Sequence, residues 1–165
     1  MPVLDRQSLE FISRGVEQTR RVGMRLGALL QPSDLICLVG ELGAGPTTLV
    51  QGITAGWGSL DPATSPSFVL VNVYRQLVGN KLFHLDAYRL NSAAEAEDLD
   101  IDALLGAGPL VIEWADRIQQ ALPIECLWVT MQWVDDNQRD MVFTAHGSRY
   151  LSLLSELRMH IYGVS

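Results

Sequence analysis

Long apolar runs are missing from this chain, and cysteines and basic residues are few. No stretch of about 18 consecutive apolar residues occurs, so no transmembrane helix is expected although 48% of the 165 residues are apolar. The opening MPVLDRQSLEFISRG carries Asp5 and Glu10, where a secretory leader has a basic start and an unbroken apolar stretch. A cytoplasmic location, with no membrane association, is the expectation. Cys37 and Cys126 are the two cysteines; each sits in an apolar strand-like run, DLICLVG or ECLWVTMQW, without a second cysteine or histidine at ligand spacing. Buried thiols are expected in preference to a metal site or disulfide. Basic residues number 12 against 19 acidic ones, a formal net charge of -7, which argues against a direct grip on nucleic acid. Any RNA role is expected to run through a partner. Arg14, Arg20, Arg21 and Arg25 cluster in SRGVEQTRRVGMRLG and suit the solvated side of an amphipathic helix.

Repeats and low-complexity linkers are absent too, and the length suits a single domain over residues 1–165. Apolar residues from Ser8 to Leu30 recur mostly at helical spacing, predicting an opening helix with a weak point near Gly23. Leu35 to Val39 is a continuous apolar run ending at Gly40, the pattern of a strand buried on both faces. Thr47 to Trp57 has helical composition, closed by Gly56 and Gly58. Residues 67–90 read as two strands joined by a hairpin at Gly79 and Asn80. SAAEAEDLDIDALL reads as an acidic helix or a pair of short turns. Pro109 to Ile112 is another buried strand, ending in Glu113 and Trp114 and followed by a helical piece to Leu122. Two late strands flank DDNQ, and RYLSLLSELRMHI closes the chain as a helix. Strands interleaved with helices predict a three-layer α/β fold with a mainly parallel sheet and an inserted β-hairpin.

GELGAGPTTLVQG, residues 40–52, raises the chemical question. The phosphate-loop pattern is G-x-x-x-x-G-K-[ST], in which backbone amides cradle phosphate and the following helix presents its positive end. Gly40 and Gly45 have the right spacing, Gly43 adds a third glycine, and Thr47 stands where a hydroxyl ligates magnesium. The pattern alone is weak; a strand before and a helix after strengthen it. Pro46, however, occupies the lysine position. Proline fits the first turn of a helix, but it supplies neither the ammonium nor an N–H. At roughly 1.5 to 3 kcal/mol for each hydrogen bond to a charged group, the two losses cost about 3 to 6 kcal/mol, on the order of a hundredfold to ten-thousandfold in affinity.

Two polar groups lie near predicted strand ends. In HLDAYR, His84, Asp86 and Tyr88 alternate with apolar residues, which places them on one strand face, turned either to solvent or to a site. In PLVIEW, Glu113 ends an apolar strand; such a carboxylate either holds magnesium beside phosphates or simply marks where a strand reaches water.

GELGAGPTT, TSPSF, FHLDAYRL, EAEDL and VIEWAD, in this order and at these spacings, closely resemble the TsaE (YjeE) family, small bacterial P-loop proteins needed to make threonylcarbamoyl-adenosine in tRNA. The likeness runs from TRRVG, Thr19 to Gly23, to the late strands. It implies an ATPase that joins the TsaB and TsaD subunits, whose cycle of nucleotide binding and hydrolysis resets the complex and which contacts tRNA only indirectly. By position it implies that Gly40, Glu41, Leu42, Gly43, Ala44, Gly45, Pro46, Thr47 and Thr48 surround the phosphates of ATP or ADP. Thr47 and Glu113 would hold Mg2+, and Asp86 would organise the metal or attacking water with Trp114 beside it. Ser65, Pro66 and Ser67 match a switch-like loop, while His84, Tyr88 and Arg89 match a hairpin motif without individual roles. Besides Pro46, the chain departs from the family at Ser67, usually threonine, and at Asp100, glycine in many relatives. Three readings follow: an ATPase with an impaired pocket, a partner-binding scaffold that no longer turns ATP over, and, with less in its favour, a small-molecule P-loop kinase, for which no arginine-rich lid is visible.

Overall fold

A parallel ladder needs strands that are apolar on both faces, and the middle of the chain supplies them. The computed structural model describes residues 5–40, 45–62, 71–88, 90 and 93–163. Its seven-stranded sheet has at its centre β6 (Cys126–Trp133), β2 (Leu35–Gly40), β5 (Leu110–Glu113) and β4 (Lys81–Asp86), adjacent in that order. These four strands are mutually parallel. The margins are antiparallel: β3 (Val71–Arg75) pairs with β4 on one side, while β7 (Arg139–His146) and then β1 (Ser8–Ser13) continue beyond β6 on the other. The sheet is therefore mixed, with the parallel order confined to its centre, and the β3–β4 pair is the expected inserted hairpin.

Helices cover both faces of the sheet. On one face α1 (Val16–Gly27), α2 (Pro46–Trp57) and α5 (Ser148–Tyr162) pack Leu26, Ile53 and Leu153 against Ile36, Leu38, Val111 and Val129. On the other, α3 (Ala93–Glu97), α4 (Ile101–Ala107) and a 3-10 helix, Ala115–Ala121, set Ala96, Ile101 and Ile118 against Leu35, Cys37, Leu85 and Ile112. Every side chain from Leu35 to Leu38 is buried because each face has its own helical cover. The acidic stretch of the sequence thus forms two short helices. Asp100, which caps α4 by accepting the Ala103 N–H, has φ 51, a conformation that favours glycine. No helix among the described residues is long and apolar enough to cross a membrane.

The expected opening helix from Ser8 is corrected by the structure. Residues 8–13 form β1, paired from Ser8↔Thr144 to Ser13↔Arg139, and the helix begins only at Val16. The alternation was present in the sequence: Leu9 and Ser13 are buried while Glu10 and Ile12 are exposed. Ile12 and Val16 supplied a false helical spacing that ran across Gly15. Arg14 accordingly precedes α1 and does not sit on its solvated face. Gly23 and Gly56 interrupt neither helix, since α1 and α2 run through them. Cys37 and Cys126 are both free and buried as expected.

Candidate functional site

The candidate phosphate loop lies between β2 and α2, and Gly45 sets the local geometry where the helix begins. Gly45, which caps α2, has φ 95, a backbone state that a side chain would strain. Pro46 is the first helical residue, tolerated because the first amides of a helix have no intrahelical acceptor. The helix is intact behind it, with the Leu49 N–H donating to the Gly45 carbonyl at 3.1 Å. Two early amides remain, those of Thr47, whose side chain is exposed, and of Thr48, which is half-buried. They sit at the positive end of the helix dipole. The backbone is crowded at Gly40, where a Cβ would stand 3.2 Å from the Met131 carbonyl and 3.4 Å from Pro46 Cγ. Glu41, Leu42, Gly43 and Ala44, with Ser65, Pro66, Ser67 and Arg89, lie outside the described residues.

The two predicted carboxylates stand side by side. Glu113 pairs with Leu38 of β2 on one side and with Asp86 of β4 on the other. Residues paired across a parallel ladder point to the same face, and Leu38 belongs to the core beneath α1, α2 and α5. Glu113 and Asp86 therefore lie on the face of the sheet that carries α2, at the strand ends flanking the end of β2. Strand order also turns around β2, with β5 and β4 on one side and β6 on the other, the place where open α/β sheets form ligand crevices.

Of the two directions open to the His84, Asp86 and Tyr88 face, solvent or a site, His84 and Asp86 take the one that carries α2, and His84 is turned away from solvent. β4 is covered on both sides, with Leu82, Phe83, His84 and Leu85 all buried, and it ends at Asp86. His84 is 1% exposed; its Nε2 is 2.5 Å from Glu113 Oε2 and its Nδ1 is 3.2 Å from the Tyr74 hydroxyl. The Asn72 amide in turn donates to the Tyr74 oxygen at 3.5 Å. Asp86 Oδ1 accepts the Tyr88 N–H at 2.9 Å. Tyr88 is exposed and packs on Trp114, ring centroids 5.0 Å apart, with the Arg117 guanidinium 5.3 Å from its ring centre. Trp114 itself adopts φ 58 directly after Glu113, turning the chain sharply out of β5.

A cavity of about 220 Å³ opens on the other side of the α2 start, lined by Gly45 and Thr48, by Gly15 and Thr19 from the start of α1, and by Asp136 and Asn137 of the β6–β7 turn with Arg139 at the start of β7. The Thr19 hydroxyl is tied to that of Ser13 at 2.6 Å, which fixes the start of α1 against the end of β1. Larger hollows at Arg6 and α5, and at the base of the sheet around Asp34, contain none of the predicted site residues. Sequence reading missed Asn72, Tyr74, Asp136, Asn137 and Arg139. For the last three, the polar DDNQ turn was the only local signal; for Tyr74 there was none beyond strand composition.

The oxygen donors suit magnesium, which keeps several waters and takes one or two protein ligands beside phosphates. Thr47 is an exposed residue. Glu113 Oε1 accepts no hydrogen bond among the described residues, whereas His84 holds Oε2.

Comparison with known proteins gives the family. The family model described as "Threonylcarbamoyl adenosine biosynthesis protein TsaE" matches residues 13–141. The chain is 37% identical to the tRNA threonylcarbamoyladenosine biosynthesis protein TsaE of Bacillus subtilis, over 93% of this chain and 96% of that one. It is 34% identical to the protein of the same name from Treponema pallidum, over 81% and 98%. The crystal structure of Bacillus subtilis YdiB superposes with a TM-score of 0.78 at 31% identity, covering 93% of this chain and 96% of that one. With the family model spanning most of the sequence and relatives matched along nearly their whole length, the chain belongs to the TsaE family.

Proposed function

We propose that this chain is the nucleotide-binding accessory subunit of the cytoplasmic machinery that makes threonylcarbamoyl-adenosine in tRNA, acting on TsaB and TsaD, with an ATP/ADP pocket that Pro46 weakens. The observation that carries this reading is the register Leu38–Glu113–Asp86, which brings two carboxylates to the sheet face and sheet end where α2 begins. The nucleoside end would occupy the cavity beside Thr19 and Asn137; the phosphates would lie at the Thr47 and Thr48 amides. The Thr47 hydroxyl and Glu113 Oε1 offer ligands to Mg2+, which when bound neutralises phosphate charge. Asp86 would help organise the metal or the attacking water. Hydrolysis to ADP and phosphate would then proceed by positioning and electrostatics.

Pro46 weakens this at one point. The phosphates lose one amide and one ammonium, so Pro46→Lys is expected to tighten Mg-ATP and Mg-ADP binding by about a hundredfold or more. Titration of each nucleotide into parent and variant, with phosphate release followed in parallel, checks it. Equal affinities would mean that this position does not contact phosphate and the pocket is misassigned. Pro46 also favours a second reading, a scaffold that docks on TsaB and TsaD without turnover. Capture of both subunits without nucleotide, unchanged in Pro46→Lys, would support it. Phosphate transfer to a metabolite instead of water would point to a kinase.

A further inference from the structure

His84 is a buried polar group that touches the proposed metal ligand and that the proposed chemistry leaves unused. An imidazole 1% exposed in the interior of β4 is costly unless both nitrogens are satisfied, and here both are. The directions of the hydrogen bonds are constrained. Ionised Glu113 can only accept, so Nε2 carries the hydrogen; in the neutral ring Nδ1 then accepts the Tyr74 O–H, and Tyr74 accepts from Asn72. The donors thus run one way, from β3 through β4 to β5, and end on a single oxygen of Glu113. The carboxylate torsion of a glutamate is broad and nearly two-fold, so an untethered Glu113 would exchange its oxygens and sample several directions. Tethering Oε2 removes that freedom and leaves Oε1 as the one available ligand.

Building on the nucleotide-site reading above, we propose that His84 is a positioning residue which, backed by Tyr74, locks Glu113 Oε2 so that Oε1 is presented as the magnesium ligand.

The test compares His84→Ala, His84→Gln, Glu113→Gln and the parent chain. It measures the Mg2+ concentration at which ADP binding is half-maximally tightened, read by tryptophan fluorescence, alongside thermal unfolding. Partners that orient a metal ligand typically change metal affinity by about 10- to 100-fold. His84→Ala is therefore expected to raise the Mg2+ midpoint about tenfold. His84→Gln, whose amide N–H reaches a place close to that of Nε2, should recover most of the loss even if both variants melt at the same lowered temperature. If both His84 variants kept the parent midpoint while Glu113→Gln raised it, the clamp would be refuted and the nucleotide site would stand. If Glu113→Gln also left the midpoint unchanged, Glu113 would not be a ligand and both ideas would fall. Nitrogen-15 NMR of the nucleotide-free protein gives an independent readout. Nε2 of His84 should show a pyrrole-type shift and a slowly exchanging proton, and that proton should exchange faster in Glu113→Gln; a pyridine-type Nε2 would overturn the proposal regardless of nucleotide binding.

Discussion

Tyr150 accepts the Leu35 N–H at 2.9 Å and directs its own O–H to the Ser33 carbonyl at 3.5 Å, closing the buried start of β2. Burial, opposed by the Leu35 hydrogen bond, pushes the phenol from 10 up to about 12. Its folded-state value is raised, so the stability it contributes is fully present below pH about 10. That contribution is lost as the pH climbs towards about 12, because the unfolded chain ionises first. Tyr150→Phe should be less stable than the parent at pH 8 by about 1–3 kcal/mol, since the Leu35 N–H loses its acceptor. The gap should narrow between pH about 10 and about 12, as denaturant unfolding at pH 8 and pH 11 would show. A gap independent of pH would mean that the phenol ionises alike in both states. Pro46 is the other decisive single residue, and it shows the same separation of effects: α2 forms around it, so the change falls on phosphate binding and leaves the helix in place.

Helices α1 and α2 meet almost backbone to backbone. A Cβ on Gly27 would lie 2.0 Å from the Ile53 carbonyl oxygen, and one on Gly56 would lie 1.9 Å from that of Met24. This closeness brings the start of α1, with Thr19, next to the start of α2 and so forms one wall of the small cavity. Gly56→Ala should lower stability by about 1–3 kcal/mol, because the neighbouring backbone must move, even though alanine favours helix by about 1 kcal/mol. Gly106 in α4 has nothing within 4 Å of an added Cβ. There the same change should stabilise by about 0.4–1 kcal/mol. Unfolding midpoints of the two variants should move in opposite directions; a stabilised Gly56→Ala would show that the two helices separate at little cost.

Arg149 on α5 makes a paired contact with Asp34, Nε to Oδ1 at 2.9 Å and Nη2 to Oδ2 at 2.8 Å, and its Nη2 also donates to the Leu29 carbonyl at 3.0 Å. It ties the last helix to the base of β2, at the opposite end of that strand from the loop. Because Asp34 is 2% exposed, Arg149→Ala would leave a buried carboxylate without its charge partner, held among the described residues only by the Gln31 N–H, at about 3 kcal/mol. Thermal unfolding should register that loss while the Mg2+ midpoint of ADP binding stays near the parent value; a shifted midpoint would indicate that the base of the sheet is coupled to the site. Much of the architecture was legible because its causes are local. Two-sided apolar runs mark β2 and β5, Gly79 and Asn80 mark the hairpin, and Gly40, Gly45 and Thr47 mark the loop before α2. Local reading failed at Ser8–Ser13, where pairing with β7 outweighed an ambiguous spacing, and at His84 it left open whether the side chain meets solvent or a site, which the packing that buries β4 decides. By itself the sequence determined the α/β alternation, the strand–loop–helix unit and the missing lysine, since each depends on residues within a few positions of one another. Only the tertiary structure decided that Tyr74, His84 and Glu113 meet in one hydrogen-bonded line and that the Cys37 thiol is pushed up by a hydrogen bond with Cys126 and by burial. Those contacts depend on which strands become neighbours, and strand order is fixed by the packing of the whole sheet between its two helical layers.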